Sequence, residues 1–159
     1  MTTMAHKHNL DAKIVDEVVS KLSTFLADHA VLYMKTLNFH WNMIGPHFFV
    51  FHRLLEEQYT ELAVSLDEIA EHIRSFDRLA PGSMQEFLQL ARLKESPNTL
   101  SQDEMIHELI ASNEMIAENC SELIAFSDRC KAPATTDLLT QRLKVHEKAA
   151  WLLRSHYKK

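Results

Sequence analysis

The sequence contains little of what β-rich and nucleotide-binding folds require. Only 2 of its 159 residues are glycine and 4 are proline, whereas sandwiches and Rossmann-type folds depend on glycine-rich turns. Few stretches alternate between apolar and polar residues, which is the pattern of half-buried strands. The composition therefore favours an all-α fold in one domain, since this length suffices for one sizeable core.

Cysteine and long apolar runs are also scarce. Cys120 and Cys130 are the only cysteines and lack CxxC spacing, so we expect two free thiols in a reducing cytosol rather than a zinc ribbon. The N-terminus has no apolar segment typical of a signal peptide, and no run approaches the roughly 18 apolar residues of a transmembrane helix. These absences predict a cytoplasmic protein without a membrane partner.

The charge balance of the chain directs attention to cations. There are 17 basic and 22 acidic residues, which give a net charge of -5. A body with this balance does not attract nucleic acid through its bulk charge, and it suits the binding or storage of cations. Histidine, a common metal ligand, occurs 10 times.

Helical periodicity and capping signals divide the chain into elements. The predicted helices cover about residues 10–43, 47–76, 83–92, 101–129 and 135–153. Asn9 is the predicted N-cap of the first helix, Ser83 and Ser101 open capping boxes, and Pro133 is interpreted as a break before the last helix. The connection over residues 77–100 is long enough to cross the bundle. One long crossover, here with a short extra helix in it, is the ferritin-like variant of the four-helix bundle.

Four potential metal ligands lie in two pairs on the second predicted helix. His52 and Glu56 are one turn apart, as are Asp67 and Glu71, and the pairs are separated by roughly 22 Å along the helix. One helix cannot bring all four to one metal. An antiparallel copy, related by a two-fold axis between residues 61 and 62, sets His52 opposite Glu71 and Glu56 opposite Asp67. The spacing therefore predicts a metal site shared between subunits, present twice per dimer.

His40 extends this predicted ligand set. It lies five residues before Gly45 and His52 lies seven residues after it, so both reach a comparable depth across an antiparallel hairpin. Such a mixture of nitrogen and oxygen ligands suits iron, manganese or zinc rather than calcium or copper(I). Glu104 and His107 supply only one of the two Glu-x-x-His motifs that a di-iron site inside one bundle needs. We expect that motif to lie on the surface.

Blander interpretations remain open for each of these residues. Any one of the four side chains on the second helix, taken alone, is more typical of a solvated helix face. A helical bundle with a structural zinc, or with no metal, would carry the same residues. His29 and His146 fall on apolar stripes, and we expect them to be satisfied core histidines rather than ligands.

Two segments resemble the signatures of a known family. The segment Asn38-Phe-His-Trp-Asn-Met-Ile-Gly-Pro-His-Phe-Phe-Val-Phe-His52 is similar to the first signature of the Dps family, the mini-ferritins, and residues 59–71 are similar to the second. The resemblance spans about residues 10–155, the predicted domain. It implies five metal ligands, three from one subunit (His40, His52, Glu56) and two from its two-fold mate (Asp67, Glu71). Members often have Asp where this chain has Glu56. Trp41 resembles the family tryptophan thought to absorb stray oxidising equivalents.

The resemblance also implies an activity. Members form a hollow shell of twelve subunits that oxidises Fe(II), preferably with hydrogen peroxide and otherwise with dioxygen, and stores the ferric product, which protects the cell from oxidative damage. Two irons at each inter-subunit site can deliver two electrons to peroxide together, which avoids the step that releases hydroxyl radical. The chain is thus predicted to be a ferroxidase, with zinc or manganese as substitute metals.

The two ends of the chain favour an alternative function. Residues 1–9 form a predicted flexible tail that holds Lys7, and residues 156–159 form a basic C-terminal end. A basic tail can bind DNA phosphates even when the body is acidic, which would make the protein a nucleoid-associated DNA-binding protein with secondary iron chemistry. Because the N-terminal tail holds one lysine, DNA binding is the weaker hypothesis.

Overall fold

The computed structural model describes residues 10–157, and within this range every regular element is a helix. In chain order the helices are α1 (Ala12–Asn42), α2 (Phe48–Ser75), α3 (Met84–Leu90), α4 (Gln102–Arg129) and α5 (Pro133–Arg154). Helix α1 packs against α2 and α4, α5 packs against α4 and α2, and the short α3 lies on α1. The predicted ferritin-like four-helix bundle, with a short helix in the long connection, is confirmed.

Both predicted capping boxes are present. The Ser83 hydroxyl accepts the backbone N–H of Glu86, and the Glu86 carboxylate accepts the backbone N–H of Ser83 at 3.1 Å. Ser101 and Glu104 repeat this exchange at the start of α4, where the Ser101 N–H lies 2.8 Å from the carboxylate. Each box satisfies backbone donors that the first helical turn leaves without a partner, so these two helix starts follow directly from local sequence.

The starts of α1 and α5 differ from the prediction. Helix α1 begins after Asp11, whose carboxylate accepts the backbone N–H of Lys13 at 2.8 Å. The predicted cap Asn9, like the whole tail predicted over residues 1–9, lies outside the described residues. Helix α5 begins at Pro133, two or three residues earlier than predicted. Proline suits the first helical position because its fixed φ is helical and its missing N–H is not needed there.

A single apolar core fills the bundle. The largest fully buried side chains are Phe25, Phe39, Leu22, Leu26, Leu32, Leu55, Ile69, Ile73, Met105, Ile106, Leu109 and Ile116. They come from α1, α2 and α4, and Leu139 and Leu153 complete the core from α5. Burial of each large side chain stabilises the fold by about 1.5–3 kcal/mol, which fixes the four helices against one another and holds the surface residues of α2 in a defined register.

Two buried polar side chains of α1 hold the long connection between α2 and α4. Asp28 has no exposed surface and accepts the backbone N–H groups of Arg92 at 2.7 Å and Leu93 at 2.9 Å. Lys35 is also buried, and its ammonium group donates to Glu108 of α4 at 3.2 Å. The same Glu108 oxygen accepts the hydroxyl of Ser96, which belongs to the connection, at 3.0 Å. Because a buried charge without a partner is costly, these contacts tie the connection to α1.

The corner between α1 and α2 is closely packed. A Cβ atom at Gly45 would lie 2.2 Å from the side-chain oxygen of Gln102, so no larger residue fits there without a shift. His156, from the predicted C-terminal end, packs on the same region, with its ring centroid 4.8 Å from the rings of His47 and Phe51. Within the described residues, no helix is long and apolar enough to span a membrane.

Candidate metal centre

The corner between α1 and α2 brings His40 and His52 into direct contact. Their rings stack with centroids 3.8 Å apart and planes inclined by 14°. The Nδ1 atom of His40 lies 2.8 Å from the carbonyl oxygen of His52, and the Nδ1 atom of His52 lies 2.9 Å from the carbonyl oxygen of His40. Because a carbonyl oxygen only accepts, both Nδ1 atoms donate. In the neutral ring this tautomer leaves the Nε2 atom with the lone pair through which histidine binds metals.

Aromatic rings flank this histidine pair on both sides. The Phe48 ring lies 5.0 Å from the ring of His52, and the Tyr59 ring lies 5.1 Å from the ring of His40. Neighbours of this kind orient potential ligands before a metal arrives. In the sequence, Phe48 and Tyr59 are only members of the apolar stripe. One signal in the sequence could have identified them: Phe48 lies one turn before His52, and Tyr59 lies two turns after it.

The three carboxylates of the predicted site share the outer side of α2. The Glu56 side chain is 47 % exposed and makes one ion pair, 3.8 Å from Arg53, which is a weak surface contact. Asp67 and Glu71 are exposed and have no ion pair within the described residues. At roughly 100° per residue, these carboxylates and His52 fall within about 100° of one another around the helix. They therefore lie on one face of the helix.

A single chain does not bring the predicted ligands together. Asp67 lies roughly 16 Å farther along α2 than Glu56, and Glu71 is one turn beyond it. In the described part of one chain, no group of three or more His, Cys, Asp or Glu side chains is placed to hold a metal ion. The structure brings His40 and His52 together, with Glu56 one turn after His52 on α2, but it leaves the remaining carboxylates near the other end of the helix. A site with all five ligands therefore needs a second chain.

Trp41, predicted to lie beside the site, follows His40 directly and is 62 % exposed. Its side chain lines a surface groove together with Met34 and Asn38. The indole is therefore open to solvent and to a neighbouring molecule, while the adjacent histidine is buried in the corner.

A second histidine pair lies inside the bundle. The Nδ1 atom of His29 donates to the Phe25 carbonyl at 2.8 Å. The amide nitrogen of Asn113 donates to the Leu109 carbonyl, so its side-chain oxygen accepts the Nδ1–H of His146 at 2.9 Å. The two Nε2 atoms then face each other at 2.9 Å, and only one proton fits between them.

The surroundings of this inner pair oppose positive charge. Burial lowers the pKa of His29 to about 4 and the pKa of His146 well below its usual value, and the nearby cation of Arg142 adds to both effects. Both rings are fully enclosed. His29 and His146 are thus core histidines, as predicted, and the pair holds at most one proton beyond the two on its Nδ1 atoms.

The Glu-x-x-His motif in α4 lies on the surface, as predicted. The carboxylate of Glu104 is engaged by the capping box. The His107 ring stacks on the Tyr157 ring with centroids 4.7 Å apart. Neither side chain points to a ligand set inside the bundle.

Both cysteines are free thiols, as predicted. Cys120 is completely buried, and this burial raises the pKa of its thiol to about 12. A thiol of this kind stays protonated and unreactive, so Cys120 belongs to the core and not to a reactive site. Cys130 is partly buried at the end of α4.

Comparison with known proteins places this geometry in a family. A profile for the ferritin-like domain matches residues 19–159. DNA protection during starvation protein 2 of Bacillus anthracis is 32% identical over 139 residues, which cover 87% of this chain and 95% of that protein. An uncharacterised low temperature-induced protein of Nostoc sp. is 38% identical over 140 residues, which cover 87% of this chain and 78% of that protein.

A solved structure agrees with these relatives. The Dps protein from Vibrio cholerae O1, described as a member of a broad superfamily of ferritin-like diiron-carboxylate proteins, is 26% identical. It superposes with a TM-score of 0.90 over 99% of this chain and 100% of that one. The family resemblance seen in the two sequence signatures is confirmed: this chain belongs to the Dps family of the ferritin-like superfamily.

Proposed function

We propose that this protein is a cytoplasmic ferroxidase of the Dps type, which oxidises Fe(II) at sites shared between two subunits and stores the ferric product in a hollow dodecamer. The observation that carries the proposal is the reciprocal hydrogen bonding of His40 and His52. Within the described residues it leaves both Nε2 atoms without a hydrogen-bond partner, and the carboxylate of Glu56 follows His52 by one helical turn. Nitrogen and carboxylate donors of this kind suit iron, and they would also take zinc or manganese.

The outer side of α2 supports a two-fold partner. Around the proposed axis, Thr60 and Ala63 are small and exposed, so two copies of the helix can approach closely. Phe49 is 72 % exposed and Val64 is 56 % exposed on the same side. Exposed apolar side chains that share a helix side with paired polar residues are typical of a protein interface. In this arrangement the partner's Asp67 and Glu71 complete the ligand set.

The chemistry follows from two irons held at one site. Carboxylates stay ionised beside a cation and can bridge two of them. Each Fe(II) gives one electron, and the two electrons with two protons convert one hydrogen peroxide into two water molecules. Because both electrons come from one site, the O–O bond breaks without release of hydroxyl radical. Trp41, exposed beside the site, is the residue that we propose absorbs stray oxidising equivalents.

Complementation between two damaged chains tests whether the site is shared. We expect His52→Ala and Asp67→Ala variants to be inactive singly, because each destroys both sites of a dimer. When the two variants are co-expressed in equal amounts, half of the dimers contain one of each, and each mixed dimer has one intact site. Iron oxidation should then return to about a quarter of the wild-type rate per subunit.

A matched control uses two substitutions from the same half of the site. Co-expression of His52→Ala with Glu56→Ala should restore nothing, because every mixed dimer keeps a fault in both sites. Recovery in this control, or no recovery in the first mixture, would show that the ligands do not divide between subunits as proposed.

The alternative function, DNA binding through the tails, rests on residues 1–9 and on the C-terminal end. Residues 1–9, 158 and 159 lie outside the described residues. DNA binding through these segments stays a prediction.

A further inference from the structure

A groove lies between α1 and α4, beside the chain that leaves α3, and its volume is about 410 Å³. Three cationic side chains, two hydroxyl groups and a single carboxylate line it: Lys21, Arg92, Arg129, Ser20, Thr24 and Glu122. Hydrogen-bond donors and positive charge thus converge at one place in a chain of net charge -5. None of these side chains belongs to the proposed iron site.

Arg92 is anchored from below by Asp28, a carboxylate with no exposed surface. One oxygen of Asp28 accepts the backbone N–H of Arg92 at 2.7 Å, and the other lies 3.4 Å from its Nε atom. Within residues 10–157 the only other group that the Asp28 oxygens contact is the Leu93 N–H. The two terminal nitrogens of the Arg92 guanidinium have no partner there, so an oriented pair of donors remains for a ligand.

The other two cations are positioned without being neutralised. The ammonium group of Lys21 lies 4.8 Å from the centre of the Phe126 ring, a cation–π contact. Its nearest carboxylate, on Glu17, is exposed and 3.9 Å away, which is a weak pair. The side chain of Arg129, in the last turn of α4, makes no hydrogen bond or ion pair within the described part of the chain.

Two hydroxyl groups complete the donor set. Ser20 and Thr24 are one turn apart on α1 and therefore lie on the same side of the helix. Neither hydroxyl makes a hydrogen bond within the described range. From this juxtaposition we propose that the groove binds a small phosphate anion, such as phosphate or pyrophosphate. The guanidinium groups suit the oxygens of a phosphate in paired contacts, and Lys21 supplies a point charge.

The groove fits a small anion better than a nucleic acid. A long polyanion meets the net negative charge of the whole subunit and the carboxylate of Glu122, and repulsion of this kind extends over a Debye length of about 8–10 Å. A small anion inside the groove interacts mainly with the nearest donors. A small phosphate anion and a nucleic acid present the same phosphate groups. Binding experiments with pyrophosphate and with a DNA duplex distinguish the two ligands.

Titration calorimetry of the metal-free, full-length protein with pyrophosphate at low ionic strength tests this site. We expect one site per subunit, and affinity that falls at least about tenfold in a Lys21→Ala, Arg129→Ala variant, since each charge-assisted contact is lost. The matched control, Lys13→Ala with Lys144→Ala, removes the same charge from exposed positions elsewhere and should bind as the wild type does. Glu122→Gln removes the opposing carboxylate and should tighten binding.

Three results would overturn the proposal. They are an absence of pyrophosphate binding, an equal loss of affinity in the control variant, and binding of a short DNA duplex that depends on Lys21 and Arg129 while pyrophosphate does not bind. The last result would assign the groove to nucleic acid instead. Because no step of the experiment uses iron, failure here leaves the proposed ferroxidase function untouched.

Discussion

Two histidine pairs in this molecule share the same hydrogen-bonding pattern at their Nδ1 atoms. They differ in how their Nε2 atoms are placed. In the corner pair, His40 and His52, and in the inner pair, His29 and His146, every Nδ1 atom lies within hydrogen-bond distance of a fixed acceptor. The corner rings stack, so their Nε2 atoms do not oppose each other. The inner rings meet edge to edge with their Nε2 atoms 2.9 Å apart. Ring orientation, and not the number of histidines, thus distinguishes the pair that we propose binds a metal.

The charged groups around the two pairs also differ, with carboxylates near the corner pair and a cation near the inner pair. Glu56 follows the corner pair by one turn, and the partner's Asp67 and Glu71 are proposed to add two more carboxylates. Beside the inner pair lies the cation of Arg142, which is itself bonded to Glu61. One environment attracts cations, and the other lowers the pKa of its histidines and resists them.

The largest effect is expected from damage to the corner pair's site. In a His52→Ala, Asp67→Ala variant, peroxide-dependent iron oxidation should fall by about 100-fold or more, because loss of even an indirect contact to a metal ligand costs about 10–100-fold. Stopped-flow absorbance after Fe(II) loading measures this rate. The variant should still assemble. Wild-type rates in it would contradict the assignment of the iron site to the corner pair.

Damage to the inner pair should affect stability and leave the chemistry intact. His146→Ala creates a cavity and deprives both His29 and Asn113 of a buried partner, so the free energy of unfolding should fall by about 3 kcal/mol. Chemical denaturation at fixed protein concentration measures the loss. His107→Ala, at an exposed position, is the control and should change stability by less than about 0.5 kcal/mol. A similar loss in both variants would contradict the role of the inner pair.

The inner pair should also make stability depend on pH. In the unfolded chain both neutral imidazoles take up one more proton each below about pH 6.5. The folded pair takes up at most one more in total, and burial lowers its pKa. The unfolded state therefore binds more protons, so this stability is present above about pH 6.5 and is lost as the pH falls toward 4. Each proton that the unfolded chain binds and the folded pair does not adds about 1.4 kcal/mol per pH unit, so the expected slope is about 1.4–2.7 kcal/mol per pH unit.

Thermal unfolding of the wild type and of a His29→Leu, His146→Leu variant between these pH values measures that slope. The other histidines titrate in both proteins, so the difference between the two slopes belongs to the inner pair. Equal slopes would mean that the pair takes up two protons in the folded protein, against the geometry described above.

The smallest effect is expected at the ring beside the corner pair. Tyr59→Leu removes the aromatic contact to His40 and should weaken zinc binding by about 2- to 10-fold, the value of one aromatic contact. Calorimetric titration with zinc measures it. Tyr33→Leu is a close control, because the Tyr33 ring contacts Tyr59 at 6.4 Å and makes no ring contact with His40. If both variants bind zinc equally weakly, the orientation of His40 does not depend on Tyr59.

The sequence predicted the fold closely because the relevant signals are local. Ser83 and Ser101 define helix starts through residues only three positions away, and the apolar stripes define which side of each helix is buried. The chain breaks before Pro133 as predicted, but α5 begins at Pro133 and not two or three residues later, since a proline that cannot continue one helix suits the first position of the next. The placement of residues along and around α2 likewise follows from their spacing in the sequence.

The finer geometry of the site could not be predicted in this way. The reciprocal bonds of His40 and His52 depend on how α1 and α2 are rotated against each other, and spacing along the chain does not determine that rotation. Asp28 and Arg92 are 64 residues apart, and nothing local marks their contact. Side-chain pairing between helices becomes visible only once the bundle is packed.

The proposed iron site is tested most directly by a peroxide pulse given to the metal-free protein after anaerobic addition of Fe(II), followed by near-ultraviolet absorbance. We expect rapid oxidation of about two Fe(II) per peroxide, since each iron gives one electron to a two-electron oxidant. The product should stay soluble and co-elute with a large shell. Oxidation at the rate of iron without protein, with precipitation of the product, would contradict a working site at the corner pair.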